Sequence, residues 1–351
     1  MIIIVGAGVA GLIAGLQLLN KGYEVKIFEK NAGIKSTACG EGCDLQSLNF
    51  LPFDSRPYVA KKVEGIKFNF MDMYFYAKAK GVVLNRQKWM EAMAEKFIAR
   101  GGKIEFSTKV IKIDDEFIYL QDGRRIAYDI CIGADGPSST IKNYFGNKYE
   151  YLIGCQYEIE YDTSNMNFLE FYINKSYTPY YAWIFPKDGS INVGLAGKFS
   201  KLNDFLKAKG IRGKILKKSA GIVPVGMAKR IADDRIALIG DAASLTNPFS
   251  LGGISPIIYA SKILVKNINN LRNYEKEIKK HEICDRILLK GHLSAKKIKN
   301  EEVAEIFSRI NGKEVREIRY KDFAPLILKP FTLIKMRYIA KAFLHSLKWG
   351  W

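Results

Sequence analysis

Ile2-Ile3-Ile4-Val5, followed by Gly6-Ala7-Gly8-Val9-Ala10-Gly11, decides the fold of this 351-residue chain. The apolar run suits a parallel strand buried on both faces, and Val9 to Leu19 carries helical apolar spacing that ends before Gly22. Between them, Gly6 permits a tight turn, Gly8 lets the backbone approach a pyrophosphate, and Gly11 lets helix and strand pack closely. A lone G-x-G-x-x-G motif is weak evidence, but Tyr23 to Phe28 forms the next strand and ends at Glu29, where an acidic residue binds a ribose hydroxyl. An acid there favours a free 2'-hydroxyl over a 2'-phosphate. The motif leaves open which dinucleotide is bound.

Composition bounds the rest. A chain of this length exceeds what one core usually fills, so two interlocked lobes are expected. With 48% hydrophobic and 26% charged residues it reads as an ordinary globular protein. The net charge of +19 implies attraction to polyanions. No zinc-finger spacing, basic heptad or RNA-recognition aromatic motif accompanies it, so nucleic acid is not the expected partner. The apolar N-terminus lacks a basic region and runs straight into the glycine loop, which marks a strand and not a signal peptide. No apolar stretch is long enough for a transmembrane helix, so membrane contact would be peripheral. Cys39, Cys43, Cys131, Cys155 and Cys284 form no C-x-x-C pair, which disfavours iron–sulfur and structural metal sites. They read as thiols, with a redox pair between Cys39 and Cys43 left open.

Two further segments narrow the Rossmann-type reading. Ile130 to Ser138 is a strand ending in Gly133-Ala134-Asp135-Gly136, and Ile236 to Ala243 is a buried strand ending in Gly240-Asp241, followed by Pro248, Gly252 and Gly253. Here the chain resembles the flavoprotein family of p-hydroxybenzoate hydroxylase and the geranylgeranyl reductases. The resemblance covers about residues 1 to 275 and implies FAD as cofactor. By resemblance, Asp241 contacts the ribityl hydroxyls, and Arg86, in Leu84-Asn85-Arg86-Gln87-Lys88-Trp89 ahead of the Gly101-Gly102 turn, lies beside FAD. The implied cofactor set is Gly6, Gly8, Val9, Ala10, Gly11, Glu29, Lys30, Cys39, Gly40, Arg86, Val110, Ala134, Asp135, Gly136, Gly240, Asp241, Pro248, Gly252, Gly253 and Ile254.

Fold alone does not give chemistry. Tyr181-Ala182-Trp183-Ile184-Phe185-Pro186 resembles the Y-x-W-x-F-P signature of geranylgeranyl reductases, although the family's closing G-x-G is one residue wider here, as Gly194-Leu195-Ala196-Gly197. On a strand, Tyr181, Trp183 and Phe185 share one face, a wall that suits a prenyl chain. Phe68, Phe70, Tyr74 and Tyr76 show the same alternation, which reads as a facing strand of the same pocket or as plain sheet core. Cys39-Gly40-Glu41-Gly42 resembles the C-G-E or C-G-D stretch of archaeal reductases, and Cys39 would donate a proton, gate the ring or be an inert thiol. The expected catalytic residues are Cys39, Tyr181 and Trp183, with no metal. All three histidines, His281, His292 and His345, lie in the C-terminal segment, away from the motif-bearing lobes. That suits a cofactor-driven reduction better than acid–base hydrolysis.

From Lys276 onward, 18 Lys or Arg stand against 9 Asp or Glu, about half the total charge. In Phe331 to Trp351, Arg337, Lys341, His345 and Lys348 form one helical stripe, and Met336, Ile339, Phe343 and Leu347 another. Such a basic amphipathic helix either lies on an anionic membrane, with Trp349 and Trp351 as anchors, or docks its apolar stripe on the protein itself.

The expected architecture is α/β: a Rossmann-type, GR2-like FAD-binding domain of p-hydroxybenzoate hydroxylase type with an inserted antiparallel substrate sheet. The FAD domain takes residues 1–51, 82–152 and 224–274, the substrate domain 52–81 and 153–223, and a basic helical segment 275–351. The expected activity is reduction of a prenyl chain in an isoprenoid lipid or prenyl diphosphate. NAD(P)H or a ferredoxin-like protein would be the donor. The protein would be a cytoplasmic monomer in peripheral contact with the inner face of the cell membrane. A monooxygenase or halogenase, a quinone-reducing electron-transfer flavoprotein, and a non-catalytic lipid-binding module are the rivals.

Overall fold

The computed structural model describes residues 1–349; the side chain of Trp349 and residues 350 and 351 lie outside the described residues, and with them the anchoring expected of both tryptophans. Five short strands, β1 (Ile2–Val5), β2 (Val25–Phe28), β6 (Lys103–Glu105), β10 (Ile130–Gly133) and β16 (Ile236–Leu238), form an all-parallel sheet. Its order is β16-β10-β1-β2-β6, so the chain winds in both directions from β1 and the loop after β1 sits at a topological switch point. Strands β1, β10 and β16 read as unbroken apolar runs because they are buried in the sheet, and Ile3, Ile4, Ile27 and Ile132 are fully buried. Helix α1 (Val9–Leu19) packs between α3 (Arg86–Ala99) and α6 (Ile254–Lys266). Two single-turn helices, α2 (Leu45–Leu48) and α4 (Ile141–Tyr144), and a meander of β7 (Val110–Ile113), β8 (Phe117–Leu120) and β9 (Arg125–Ala127) complete this lobe.

The second sheet has eight strands: β3 (Gly42–Asp44), β4 (Val59–Phe70), β5 (Met73–Leu84), β11 (Glu150–Glu160), β12 (Phe168–Tyr172), β13 (Ala182–Pro186), β14 (Ser190–Ala196) and β15 (Ile215–Val225). Their order is β15-β11-β14-β13-β12-β4-β5-β3. All neighbours are antiparallel except β12 and β4, where the two inserted stretches meet in parallel. One face packs on α5 (Phe199–Ala208) through Ile184, Val193, Leu202 and Phe205. The other face carries Phe68, Phe171, Trp183 and Phe185.

The tail is helical, with α7 (Leu271–Lys280), α8 (Arg286–Lys297), α9 (Asn300–Ile310) and α10 (Pro330–Trp349). Helix α10 lies so close on α8 that a Cβ at Gly291 would stand 2.3 Å from that of Ala342. Of the two placements read for its apolar stripe, the structure adopts docking: Ile339 packs beside Phe70 and Phe307, while Phe343 and Leu347 pack on the aromatic face of the second sheet. Lys335 pairs with Glu302 of α9 at 2.8 Å, and Ser346 receives a 3.0 Å bond from Asn247. No helix among the described residues is long and apolar enough to cross a membrane.

Candidate active site

The cradle at the C-terminal ends of the parallel strands is built by backbone. Gly6 adopts φ +102°, and a Cβ there would meet the Ala134 carbonyl at 2.6 Å. Gly11 is tighter still: its Cβ would lie 2.0 Å from the Gly6 oxygen, so only glycine lets α1 begin directly over the turn. Gly8 has open space where the other two have contacts. Helix α1 begins there without a side-chain cap, and α6 begins at Gly253 in the same way, which leaves first-turn N–H groups of both helices turned to the cleft.

Glu29, at the end of β2, is buried and accepts 2.8 Å bonds from the amides of Ala7 and Asn31, which ties the glycine loop to the second strand. Lys30 beside it is exposed. Asp135 accepts from the Thr140 amide through Oδ2, while its Oδ1 is buried with no partner. Val110 and Ala134 are buried apolar neighbours of this turn. Asp241 accepts a 2.7 Å bond from Thr246. Burial pushes both carboxyls up, against Ser139 and Thr140 at Asp135 and against Thr246 and Arg86 at Asp241. Arg86 donates through Nη1 to the Thr37 carbonyl at 3.1 Å, and its Nε is buried without a partner.

These orphaned atoms fit a dinucleotide. A ligand with hydroxyls satisfies the Asp135 oxygen left bare by the protein, a pyrophosphate satisfies an uncapped helix N-terminus, and Gly8 leaves it room. Gly240, in a left-handed turn, sits against Ala10, which brings Asp241 to the start of α1. Pro248, Gly252 and Ile254 lie on the loop that leads into α6.

Cys39 sits where the cradle meets the second sheet. Its Sγ accepts from the Glu41 amide at 3.3 Å, and the charges of Arg86, Glu41 and Asp241 all act on it. Burial raises its thiol, with Arg86 pulling the other way. The structure therefore gathers Cys39, Arg86 and Asp241 from three distant stretches. All five cysteines are free thiols, Cys43 buried and Cys39 half-buried.

Facing Cys39 is a wall of aromatic rings. Phe171 stands 5.3 Å from Phe68, 5.1 Å from Tyr181 and 5.2 Å from Phe185, and Tyr181 meets Trp183 edge-on at 6.2 Å. Tyr181 donates its hydroxyl to the Ser250 carbonyl, and burial pushes that phenol far above its ordinary value. Gly194 lies beneath the indole of Trp183, where a Cβ would come within 2.2 Å of the ring. The glycine pattern at that end of the signature makes room for the tryptophan. On the other side, Gly40 touches Phe185, and a Cβ there would lie 3.5 Å from the Trp183 nitrogen.

A polar chain locks the wall to the Cys39 loop. Trp183 Nε1 donates to Gln156 at 3.0 Å, Gln156 to Asn192 at 3.1 Å, and Asn192 to Glu41 at 3.0 Å and to the Gly40 carbonyl. Lys187, whose side chain is 9% exposed, ends the chain between Glu41 at 2.8 Å and Glu158 at 3.0 Å. Glu41 holds φ +67°, a left-handed conformation uncommon for a residue with a Cβ, and this network accounts for its persistence. Gln156, Asn192 and Lys187 did not stand out in the sequence, because they come from distant strands and loops, whereas Glu41 lies in the Cys39 to Gly42 stretch.

One expectation is corrected. Phe68, Phe70, Tyr74 and Tyr76 do not lie on one strand face: β4 and β5 form a hairpin that turns at Met71-Asp72. Phe68 pairs with Phe75 and Asn69 with Tyr74, so the turn exchanges the parity of the faces. Phe75 stacks on Phe68 at 5.1 Å, Phe70 packs on Phe307, and the tyrosines point away, Tyr74 under Lys67 and Tyr76 against Phe168. Phe75, Phe171 and the tail residue Phe343, 5.3 Å from Phe68, complete the aromatic cluster instead. The tail also delivers a histidine to the motif-bearing lobes. His292 stacks on Tyr180 at 4.7 Å and donates to the Pro248 carbonyl, and burial pushes its ring down to about 4.

Two family models match the chain: a geranylgeranyl reductase catalytic domain over residues 150–227 and an NAD(P)-binding Rossmann-like domain over residues 4–59. A digeranylgeranylglycerophospholipid reductase of Methanosarcina mazei is 29% identical over 75% of this chain and 73% of its own length. Digeranylgeranylglycerophospholipid reductase 3 of Methanosphaera stadtmanae is 27% identical over 96% and 98%. Among solved structures, a geranylgeranyl bacteriochlorophyll reductase-like protein from Thermoplasma acidophilum superposes with a TM-score of 0.82 at 20% identity, covering 96% of this chain and 98% of that one. The flavin-dependent halogenase CmlS shares the fold at a TM-score of 0.68 and 17% identity, covering 97% and 78%.

Proposed function

We propose, from its similarity to geranylgeranyl reductases, that the chain is an FAD-dependent reductase saturating C=C bonds in the prenyl chain of an isoprenoid lipid or prenyl diphosphate. The observation that carries this reading is the aromatic wall of Phe171, Tyr181, Trp183 and Phe185, set against the Cys39 loop whose other side is Arg86 and Asp241. An unactivated alkene needs an apolar, water-poor site, and stacked aromatic faces with one polar edge provide it.

The residues assigned to FAD divide by chemistry. Glu29 and Asp241 accept from sugar and ribityl hydroxyls, the uncapped ends of α1 and α6 face anionic groups, and Arg86 adds fixed positive charge. When bound and reduced, FAD supplies the hydride for one alkene carbon. Cys39 holds a proton on Sγ at neutral pH because burial raises its thiol, which suits it to protonate the other carbon. Tyr181 and Trp183 orient the chain over that thiol. The electron donor is NAD(P)H or a ferredoxin-like protein, and the bleaching of flavin absorbance by each separates the two.

The tail supports peripheral membrane contact, through a different face from the apolar stripe read in the sequence. Ile327, Leu328, Phe331, Ile334 and Leu344 are exposed beside Lys329, Arg337, Lys341 and Lys348. Cosedimentation with anionic but not neutral vesicles is the expected result.

Incubating dithionite-reduced protein with geranylgeranyl lipid and reading the product by mass spectrometry tests the main reading. Gains of two hydrogens per double bond are expected. Hydroxylation or chlorination of an aromatic compound with NADPH and oxygen, with prenyl lipid untouched, would overturn it.

A further inference from the structure

Where β12 leaves the wall and the chain returns to Tyr181, a cleft of about 510 Å³ opens against the ends of α8 and α9. Four lysines, 175, 296, 297 and 299, line it, against a single acid, Glu301. Among the described residues, none of the four forms an ion pair. The acids of α9 are engaged elsewhere: Glu302 holds Lys335, and Glu305 holds Lys329 and Arg309.

Lys175 is the organised member of the set. Its Nζ donates 2.6 Å bonds to the carbonyls of Pro179 and Ala295, which fixes it at the cleft wall and leaves one N–H for a ligand. Desolvation lowers it to about 8, the mark of a cation held without a counter-charge. The same cations reach His292, where Lys296 and Lys175 reinforce burial in holding the ring neutral and Glu150 and the Pro248 carbonyl oppose it. A protein that spaces four cations around a concavity and supplies one acid leaves room for an anion.

The cleft is also joined to the reaction site. Lys296 bonds the Tyr180 hydroxyl, Tyr180 stacks on His292, and His292 donates to Pro248, on the loop that receives the Tyr181 hydroxyl at Ser250. Tyr180 and Tyr181 are consecutive, so the cleft and the aromatic wall share one segment.

We propose that this lysine cleft binds the phosphate of the substrate, so that the enzyme prefers prenyl chains that end in a phosphate ester over uncharged prenyl alcohols. The inference rests on the prenyl-reductase reading above. A phospholipid headgroup and a soluble prenyl diphosphate present the same chemistry, several anionic oxygens met by charge-assisted hydrogen bonds.

The test compares kcat/KM for geranylgeranyl diphosphate, a digeranylgeranylglycerol phosphate in detergent, and geranylgeraniol. The expected preference of wild type for either phosphate over the alcohol is about 10-fold or more. In Lys175→Met, and independently in the exposed pair Lys297→Gln with Lys299→Gln, that ratio falls about 10-fold towards one. Whichever phosphate compound shows the larger loss is the source the cleft serves. A wild-type ratio near one, or a ratio unmoved in the exposed double variant, overturns the proposal. Titration of oxidised protein with geranylgeranyl diphosphate, read by tryptophan fluorescence, keeps the two readings apart. Lysine-dependent binding without turnover upholds the cleft and sinks the reductase, whereas turnover of all three compounds with equal efficiency sinks the cleft alone.

Discussion

The nucleotide cradle and the aromatic wall meet at Cys39, yet they are built by opposite means. The cradle is made largely by backbone: glycines at Gly6 and Gly11 that accept no side chain and two uncapped helix ends, joined by the unpartnered Asp135 oxygen. The wall is made by side chains from β4, β5, β12, β13 and α10, and locked by a polar chain that reaches from Trp183 to Lys187. Backbone sites tolerate no change of shape but little depends on their surroundings. Side-chain sites depend on every element that packs on them.

The largest expected effect breaks the cradle. Gly11→Val places atoms against the Gly6 carbonyl, a clash with backbone that cannot rotate away. We expect a loss of at least about 3 kcal/mol, the upper end for overpacking, with no retained flavin absorbance. Gly8→Ala, two positions from the turn, enters open space at a compatible φ of −76°. It should leave the melting temperature nearly unchanged while weakening FAD binding. If both variants melt alike, the cradle is not built as described.

Next in size is the lock of the wall. Lys187→Met leaves Glu41 and Glu158 facing each other with side chains 10% and 21% exposed, and removing one partner of a buried pair costs about 3–5 kcal/mol. FAD binding should survive better than activity, because the displaced loop carries Cys39. The same pair sets a pH limit. Desolvation opposes the charge on Lys187, and the Glu41 and Glu158 carboxylates outweigh it, so its folded value is raised. A raised lysine contributes stability that is fully present below its unfolded value, about 10.4, and is lost as the pH climbs through the folded one. The wild-type melting temperature should therefore run parallel to that of Lys187→Met up to about pH 10.4 and fall more steeply than the variant's above it.

That contrast also explains what could be read without a structure. The cradle was legible because its residues are neighbours in the chain: strand, glycine loop and helix follow one another within Ile2 to Leu19, and the two Gly-Asp turns each end an apolar strand. The Tyr181 to Phe185 alternation was legible for the same reason. Gln156, Asn192 and Lys187 carried no local signal, since an isolated polar residue on or beside a strand looks the same whether it faces water or a partner across the sheet. The tail left two placements open. An amphipathic helix shows which residues form its apolar stripe but not what covers it, and here Phe68 and its neighbours do.

A smaller effect comes from within the wall. Trp183→Phe keeps an aromatic face but gives up the bond to Gln156 and leaves a gap above Gly194. An activity loss of about 10-fold is expected, the scale of one hydrogen bond to a positioned group, seen in kcat more than in melting temperature. Retention of full kcat would mean that the indole nitrogen does no positioning.

The smallest expected effect separates the hairpin faces. Tyr74 and Phe75 are adjacent, yet the turn at Met71-Asp72 sends them to opposite sides: Tyr74 is 38% exposed under Lys67, and Phe75 stacks on Phe68. Tyr74→Ser should therefore shift neither KM for a prenyl substrate nor stability beyond about 0.5 kcal/mol. Phe75→Ser removes a ring from the cluster that Phe171 continues to Tyr181, and should raise KM as well as lower the melting point. Equal effects at the two positions would return Tyr74 to the pocket and require a register one residue away from the Phe68–Phe75 pairing. The pair thus tests the register of β4 and β5 through substrate binding, where a single strand running from Phe68 to Tyr76 predicts the reverse order.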